Sequence, residues 1–110
     1  EEAFAHNVFK EAKILRTKNS VEIHLKKAVS FNTIVLKEAI SKGQRIVKFE
    51  VSGGNNLKFF TPISKGTTIG HKKIIRFPQQ NIQYIRILVT ESKELPIISD
   101  VAAYQVQNTH

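Results

Sequence analysis

The stretch "FNTIVLKEAISKGQRIVKFEV", Phe31 to Val51, decides the fold class because it holds two strand patterns and the loop between them. Its first part is rich in β-branched residues, and in its last part Val47, Phe49 and Val51 alternate with charged residues. A period of two puts one set of side chains on a core face and the other set in water. The stretch therefore predicts two β-strands joined by a polar loop at 38–45.

Similar patterns recur along the chain, at "SVEIHL", at "YIRILV" and at "PIISDVAAYQV". The glycines and asparagines of "SGGNN", Ser52 to Asn56, predict the tightest turn, since these residues tolerate positive φ. The only helical candidate, "AFAHNVFKEAKIL", is too short and too poorly capped to predict a helix. We therefore predict an all-β protein, a single antiparallel β-sandwich of jelly-roll type over 1–110, in which 1–19 is an N-terminal lead-in.

Composition narrows the function classes. The 110 residues include no cysteine, so disulfides, zinc–thiolate sites and thiol nucleophiles are excluded. No apolar run approaches the roughly 20 residues of a membrane helix, and no membrane insertion is expected. The acidic start "EEAFAHNVFKEAK" does not resemble a signal peptide.

The net charge of +8 could attract a polyanion. The lysines are scattered, however, in pairs at most, and they mostly alternate with apolar residues. This distribution favours solvated strand faces and leaves a specific polyanion site as the alternative. No specific nucleic-acid partner is expected.

The segment "GTTIGHKKIIRF", Gly66 to Phe77, could at first be taken for a phosphate loop. A P-loop needs a GK[ST] ending that leads into a helix, so that backbone amides converge on the anion. Here His71 and a β-branched run follow the glycines. The segment instead predicts the end of one strand, a turn, and the start of the next strand.

Two motifs carry a family resemblance. The "EAISKGQR" loop, followed some twenty residues later by "GTTIGHK", resembles the C-terminal β-sandwich of α-L-fucosidases from bacteria and plants. "YIRILVTESKELPIISDVAAY" fits the closing strands of that domain, so the resemblance covers most of the chain from about Val21. The domain is similar to galactose-binding-like, discoidin-type sandwiches. The lead-in is shorter than in the family, and Phe60 stands where the family has a tryptophan.

The resemblance implies a non-catalytic accessory module of a secreted glycoside hydrolase, which supports a catalytic domain and contacts fucosylated or galactosylated glycans. The parent reaction would be retaining hydrolysis of α-L-fucosyl linkages, with carboxylates in a separate barrel domain. An extracellular, periplasmic or cell-surface location follows. The family's usual calcium loop has no counterpart in the short lead-in, so no cofactor is expected.

Strand counting places the 38–45 loop and the 66–71 segment at the same end of the sandwich. The predicted carbohydrate-binding residues are Glu38, Gln44, Arg45, His71 and Lys72. Two alternatives, in which these residues have a purely structural role, remain open. Glu38 and Arg45 could pair with each other, and His71 could make a hydrogen bond inside its turn.

Phe59 and Phe60 are neighbours on a strand and must face opposite ways. We therefore expect one ring in the core and the other in solvent or against another domain. For Phe31, Phe77 and Tyr84 a core position is the default expectation.

No catalytic or metal site is predicted. No two carboxylates show a spacing that indicates convergence. The histidines have none of the spacings typical of zinc ligands; they are His6, His24, His71 and His110. The alternative to the accessory module is a stand-alone basic module that binds acidic polysaccharide or nucleic acid. A pure interface function without any ligand is the third hypothesis.

Overall fold

The computed structural model describes residues 6–39 and 45–107, and within these ranges it contains six strands and no helix. The strands are β1 (Lys13–Arg16), β2 (Ser20–Glu38), β3 (Ile46–Asn56), β4 (Phe59–Thr67), β5 (Lys73–Ser92) and β6 (Ile98–Tyr104). All pairings are antiparallel. The described part of the chain accordingly has no helix that could cross a membrane.

Two long strands make the sandwich by bending. β2 has 19 residues and β5 has 20, which would extend to about 60 Å, yet the longest dimension of the molecule is 37 Å. Both strands must therefore bend. The bends lie at register shifts in the β2–β5 pair, between His24 and Val29 and between Phe31 and Thr33.

The bends divide the strands between two layers. The order β1-β2-β5-β3-β4 forms the larger layer, while the second half of β2 pairs with β6 and with the first residues of β5. The predicted all-β fold, an antiparallel β-sandwich, is confirmed.

The core lies between these layers. Its largest fully buried side chains come from both halves of β2, from β3 and from the second half of β5: Ile23, Phe31, Ile34, Leu36, Ile46, Phe49, Ile85 and Ile87. The expected core position of Phe31 is confirmed, and Phe77 packs edge-on against it with ring centroids 5.9 Å apart.

The lead-in belongs to the fold. Phe9 is 2% exposed and packs edge-on against Phe31, with ring centroids 5.5 Å apart. Asn7 attaches this segment to β6, because its side-chain oxygen accepts the N–H groups of Phe9 and Ala103, each at 3.0 Å. The lead-in also supplies β1, so it is an integral part of the sandwich.

The predicted turn at Ser52–Asn56 is wrong. These residues complete β3, and the hairpin turn is Leu57–Lys58. Space rather than positive φ explains the two glycines, since a Cβ at Gly53 would lie 2.5 Å from Ile82 Cδ1 and one at Gly54 would lie 2.7 Å from the Phe59 carbonyl oxygen.

Candidate functional site

Chain connections gather at one end of the sandwich because β2 and β5 fold back on themselves. We call this end the rim; its described residues are 17–19, 38–39, 45–46, 66–72 and 93–97. Backbone hydrogen bonds join these segments across the rim: Ala39 N–H donates to Ile97 O at 2.9 Å and Lys93 N–H to Arg45 O at 2.8 Å. Val89 of β5 holds the 17–19 segment, because its N–H donates to Asn19 O at 2.7 Å. The two polar motifs meet at this end as expected, because a backbone hydrogen bond joins Glu38 to Gly70.

Glu38 lies at the centre of the rim and is only 4% exposed. Its Oε2 accepts the N–H of Arg45 at 2.7 Å and of Ile46 at 3.0 Å, and its Oε1 accepts the N–H of Gly70 at 3.2 Å. The backbone N–H of Glu38 donates to Gly70 O at 3.0 Å. Three donors satisfy this buried carboxylate, and the carboxylate in turn fixes the two motifs relative to each other.

Arg45 does not form the side-chain ion pair with Glu38 that sequence reasoning left open. Only its backbone N–H reaches the carboxylate, while its guanidinium Nη1 donates to Leu95 O at 2.9 Å. The Nε of Arg45 is buried and has no hydrogen-bond partner among the described residues. Arg45 thus links the start of β3 to the 93–97 segment.

His71 and Lys72 are exposed and follow a constrained turn. Thr68 and Gly70 adopt positive φ values of 48° and 63°, and Thr68 N–H donates to Val47 O at 3.0 Å. Ile69, 4% exposed, inserts into the core. Among the described residues the His71 side chain makes no hydrogen bond, so the alternative of a bond inside the turn is not supported. The remaining predicted residue, Gln44, lies outside the described residues.

The two phenylalanines of β4 differ in exposure. Phe59 is 73% exposed. Phe60 is half-buried, and the Arg86 guanidinium lies 4.1 Å from its ring centroid, as in a cation–π contact. Neither ring belongs to the core cluster, so the expectation that one of them lies in the core is wrong.

A polar network on the outer face of the larger layer was not foreseen. Glu22 Oε2 accepts from Arg86 Nε at 2.9 Å and lies 2.8 Å from Nη2, while Glu22 Oε1 lies 2.9 Å from His24 Nε2. His24 packs edge-on against Tyr84, with ring centroids 5.2 Å apart. Tyr84 therefore lies on this face, and its expected core position is wrong.

The electrostatic consequence falls on Glu22. Its hydrogen bond with His24, followed by its contacts with Arg86, lowers the pKa of Glu22 below the ordinary 4.5. Glu22 and Arg86 are direct cross-strand partners in the β2–β5 pair. This pairing would have predicted the network, but it depends on a strand register that the sequence does not give.

Within 6–39 and 45–107 no group of three or more His, Cys, Asp or Glu side chains could hold a metal ion. The rim is instead a frame of backbone hydrogen bonds that carries exposed polar side chains. Such a frame can present donors and acceptors in fixed positions to a polar ligand.

The molecule is thus an antiparallel β-sandwich with polar loops at one end, and comparison with known proteins identifies its relatives. No protein-family model matches the chain. It is 36% identical over 75 residues to "Putative alpha-L-fucosidase 1" of Oryza sativa subsp. japonica, which covers 68% of this chain and 14% of that protein. The solved structure of a glycoside hydrolase 29 family member from an unknown rumen bacterium matches with a TM-score of 0.89 and 28% identity, over 99% of this chain and 21% of that one.

This chain is homologous, in sequence and in structure, to a part of the α-L-fucosidases. It spans about one seventh of the rice relative. A third structure, CpGH89CBM32-5 from Clostridium perfringens in complex with GalNAc-β-1,3-galactose, matches with a TM-score of 0.68 over 77% of this chain and 64% of that one. At 17% identity that likeness shows a shared fold alone.

Proposed function

We propose that this chain is a non-catalytic accessory β-sandwich of an α-L-fucosidase-like glycoside hydrolase, of the galactose-binding-like type. In the family that the chain resembles, this sandwich is the C-terminal domain. We propose that it supports the catalytic domain and presents the rim to glycans. The parent enzyme acts outside the cell or at its surface and hydrolyses α-L-fucosyl linkages with retention, using carboxylates that lie outside this chain. Homology to a small part of the α-L-fucosidases supports this assignment.

The single observation that carries the proposal is the Glu38-centred rim. Three backbone N–H groups on one buried carboxylate hold the start of β3 and the 66–72 segment in one geometry. His71 and Lys72 are exposed on this frame and can reach sugar hydroxyls. Because the frame already holds these two segments in place, ligand binding would lose less conformational entropy.

Replacing His71 by alanine tests the role of the rim. Binding of fucosylated and galactosylated oligosaccharides to the chain, measured by titration calorimetry at low and high salt, is expected to be weak and nearly independent of salt. Loss of one hydrogen bond to the sugar in His71→Ala should weaken it by about tenfold.

His6→Ala is the matched control, because His6 is also exposed and belongs to the lead-in rather than to the rim. It should leave the affinity unchanged. The proposal is wrong if neither neutral glycan binds, or if the two histidine variants bind equally well.

A further inference from the structure

A groove of about 550 Å³ lies beside the rim, along the ends of β3 and β4. Three lysines line it, Lys48, Lys65 and Lys73, together with one carboxylate, Glu50. Its volume falls within the range of roughly 300–1,000 Å³ that is common for small-molecule sites. The walls therefore carry an excess of positive charge around a space large enough for sugar residues.

The strands bring these lysines together from distant parts of the sequence. Cross-strand pairs between Lys48 and Thr67 and between Glu50 and Lys65 put four side chains on one face of the β3–β4 hairpin. Lys73 begins β5, directly after the 66–72 segment of the rim. The groove is thus continuous with the predicted binding segment.

Thr90 adds a hydroxyl to the wall. It is the extra residue of a β-bulge, since Lys48 pairs with Glu91 and Phe49 pairs with Val89. A hydroxyl group can donate to an anionic oxygen or exchange hydrogen bonds with a sugar.

Protein carboxylates compensate this charge only in part, although Glu50 lies opposite Lys65 in the β3–β4 pair. Lys48 Nζ lies 3.5 Å from Glu91 Oε1, but both side chains are more than half exposed, so the pair is weak. In the described ranges neither Lys65 nor Lys73 has a carboxylate oxygen within 4.0 Å. The lining holds three ammonium groups against one carboxylate, so an anion placed in the groove would be attracted to it.

We propose, building on the function above, that this groove binds the acidic substituent of a glycan, a sulfate ester or a uronate, while the adjoining rim contacts its hydroxyls. The preferred ligand of the rim is then a glycan that carries such an acidic substituent, and a neutral glycan binds more weakly through its hydroxyls alone. Lysine is suited to this task, because its ammonium group offers three donors to the oxygens of an anion.

The test compares two double variants of equal net charge. Lys65→Gln/Lys73→Gln removes two charges from the groove, and Lys26→Gln/Lys27→Gln removes two exposed charges near the bend of β2. The probes are a sulfated tetrasaccharide, its desulfated counterpart, a tetragalacturonate and a neutral fucosylated oligosaccharide. Thermal melts establish that each variant is folded.

Affinity of the original chain should fall in the order sulfated or uronate probe, then neutral probe. The groove variant should lose about tenfold or more for the acidic probes, since it lacks two direct charge contacts. The control should lose far less, and neither variant should change the binding of the neutral probe.

Equal losses in both double variants would mean that only the overall charge attracts the ligand, and the groove assignment would be overturned. It would also fall if a single-stranded oligonucleotide of equal charge bound as well and depended on the same two lysines. If the neutral glycan binds and the acidic probes gain nothing, this inference fails while the proposed function stands. If no glycan binds, both fail.

Discussion

At the scale of single residues, Glu38 connects stability with the geometry of the rim. Its carboxylate accepts three backbone N–H groups that belong to segments separated by more than 20 residues. A buried charge is tolerated only when its hydrogen bonds are complete. The Glu38 side chain, first expected to touch a ligand, is therefore placed to hold the residues that we propose as ligand contacts.

Glu38→Gln should lower the free energy of unfolding by about 1–3 kcal/mol, because the amide nitrogen would face at least one backbone donor that now meets an acceptor. Urea denaturation of the chain measures the change. Glu94→Gln removes the same charge from an exposed position and should have a minor effect. Similar unfolding midpoints for the two variants would show that the carboxylate does not hold the rim together.

Among the strand pairs, we expect the stability of the β2–β5 pair to depend on pH through Glu22. Contacts with His24 and Arg86 lower the pKa of Glu22 in the folded chain below 4.5. A lowered folded pKa stabilises the fold above the unfolded pKa, and this contribution is lost as the pH falls through the folded value. The difference in unfolding free energy between the original chain and Glu22→Gln should therefore shrink as the pH drops from neutral to well below 4.5.

Denaturation curves recorded over this pH range measure that difference. Glu94→Gln again serves as the control and should show a difference that hardly changes with pH. A constant difference for Glu22→Gln would mean that the network on the outer face gives no net stabilisation.

The sequence pattern predicts the strands but not the contacts that depend on how the strands are aligned. Alternation around Phe49 and Ile85 was enough for the fold class, and strand counting brought the two motifs to one end. The burial of Glu38 and the stacking of Arg86 on Phe60 depend on bulges and register, which periodicity does not encode. The position of the β3–β4 turn was missed because Gly53 and Gly54 could serve close packing as well as turning.

At the scale of the whole molecule, the lead-in completes the core. Phe9 packs against Phe31, although Phe9 lies in none of the strands. The only pattern in its segment of the sequence was a weak helical one. Its burial joins the first described residues to the centre of the sandwich. The lead-in cannot therefore be treated as a dispensable linker.

Phe9→Ala should destabilise the fold by about 3–5 kcal/mol, the usual cost of removing a buried aromatic ring. Phe59→Ala removes the same atoms from a side chain that is 73% exposed and should cost much less. Urea unfolding of the two variants gives the comparison. A Phe9→Ala chain as stable as Phe59→Ala would show that the lead-in does not contribute to the core.

The hydrogen bonds between Asn7 and Ala103, 96 positions apart, and between Asn32 and Val106, 74 positions apart, have a consequence for biosynthesis. Contacts of such long sequence separation form late, because the chain must first lose the entropy of closing large loops. While the polypeptide is still being made, the second half of β2 lacks β6 as a neighbour and has an unpaired edge. The sandwich can close only after β6 has left the ribosome.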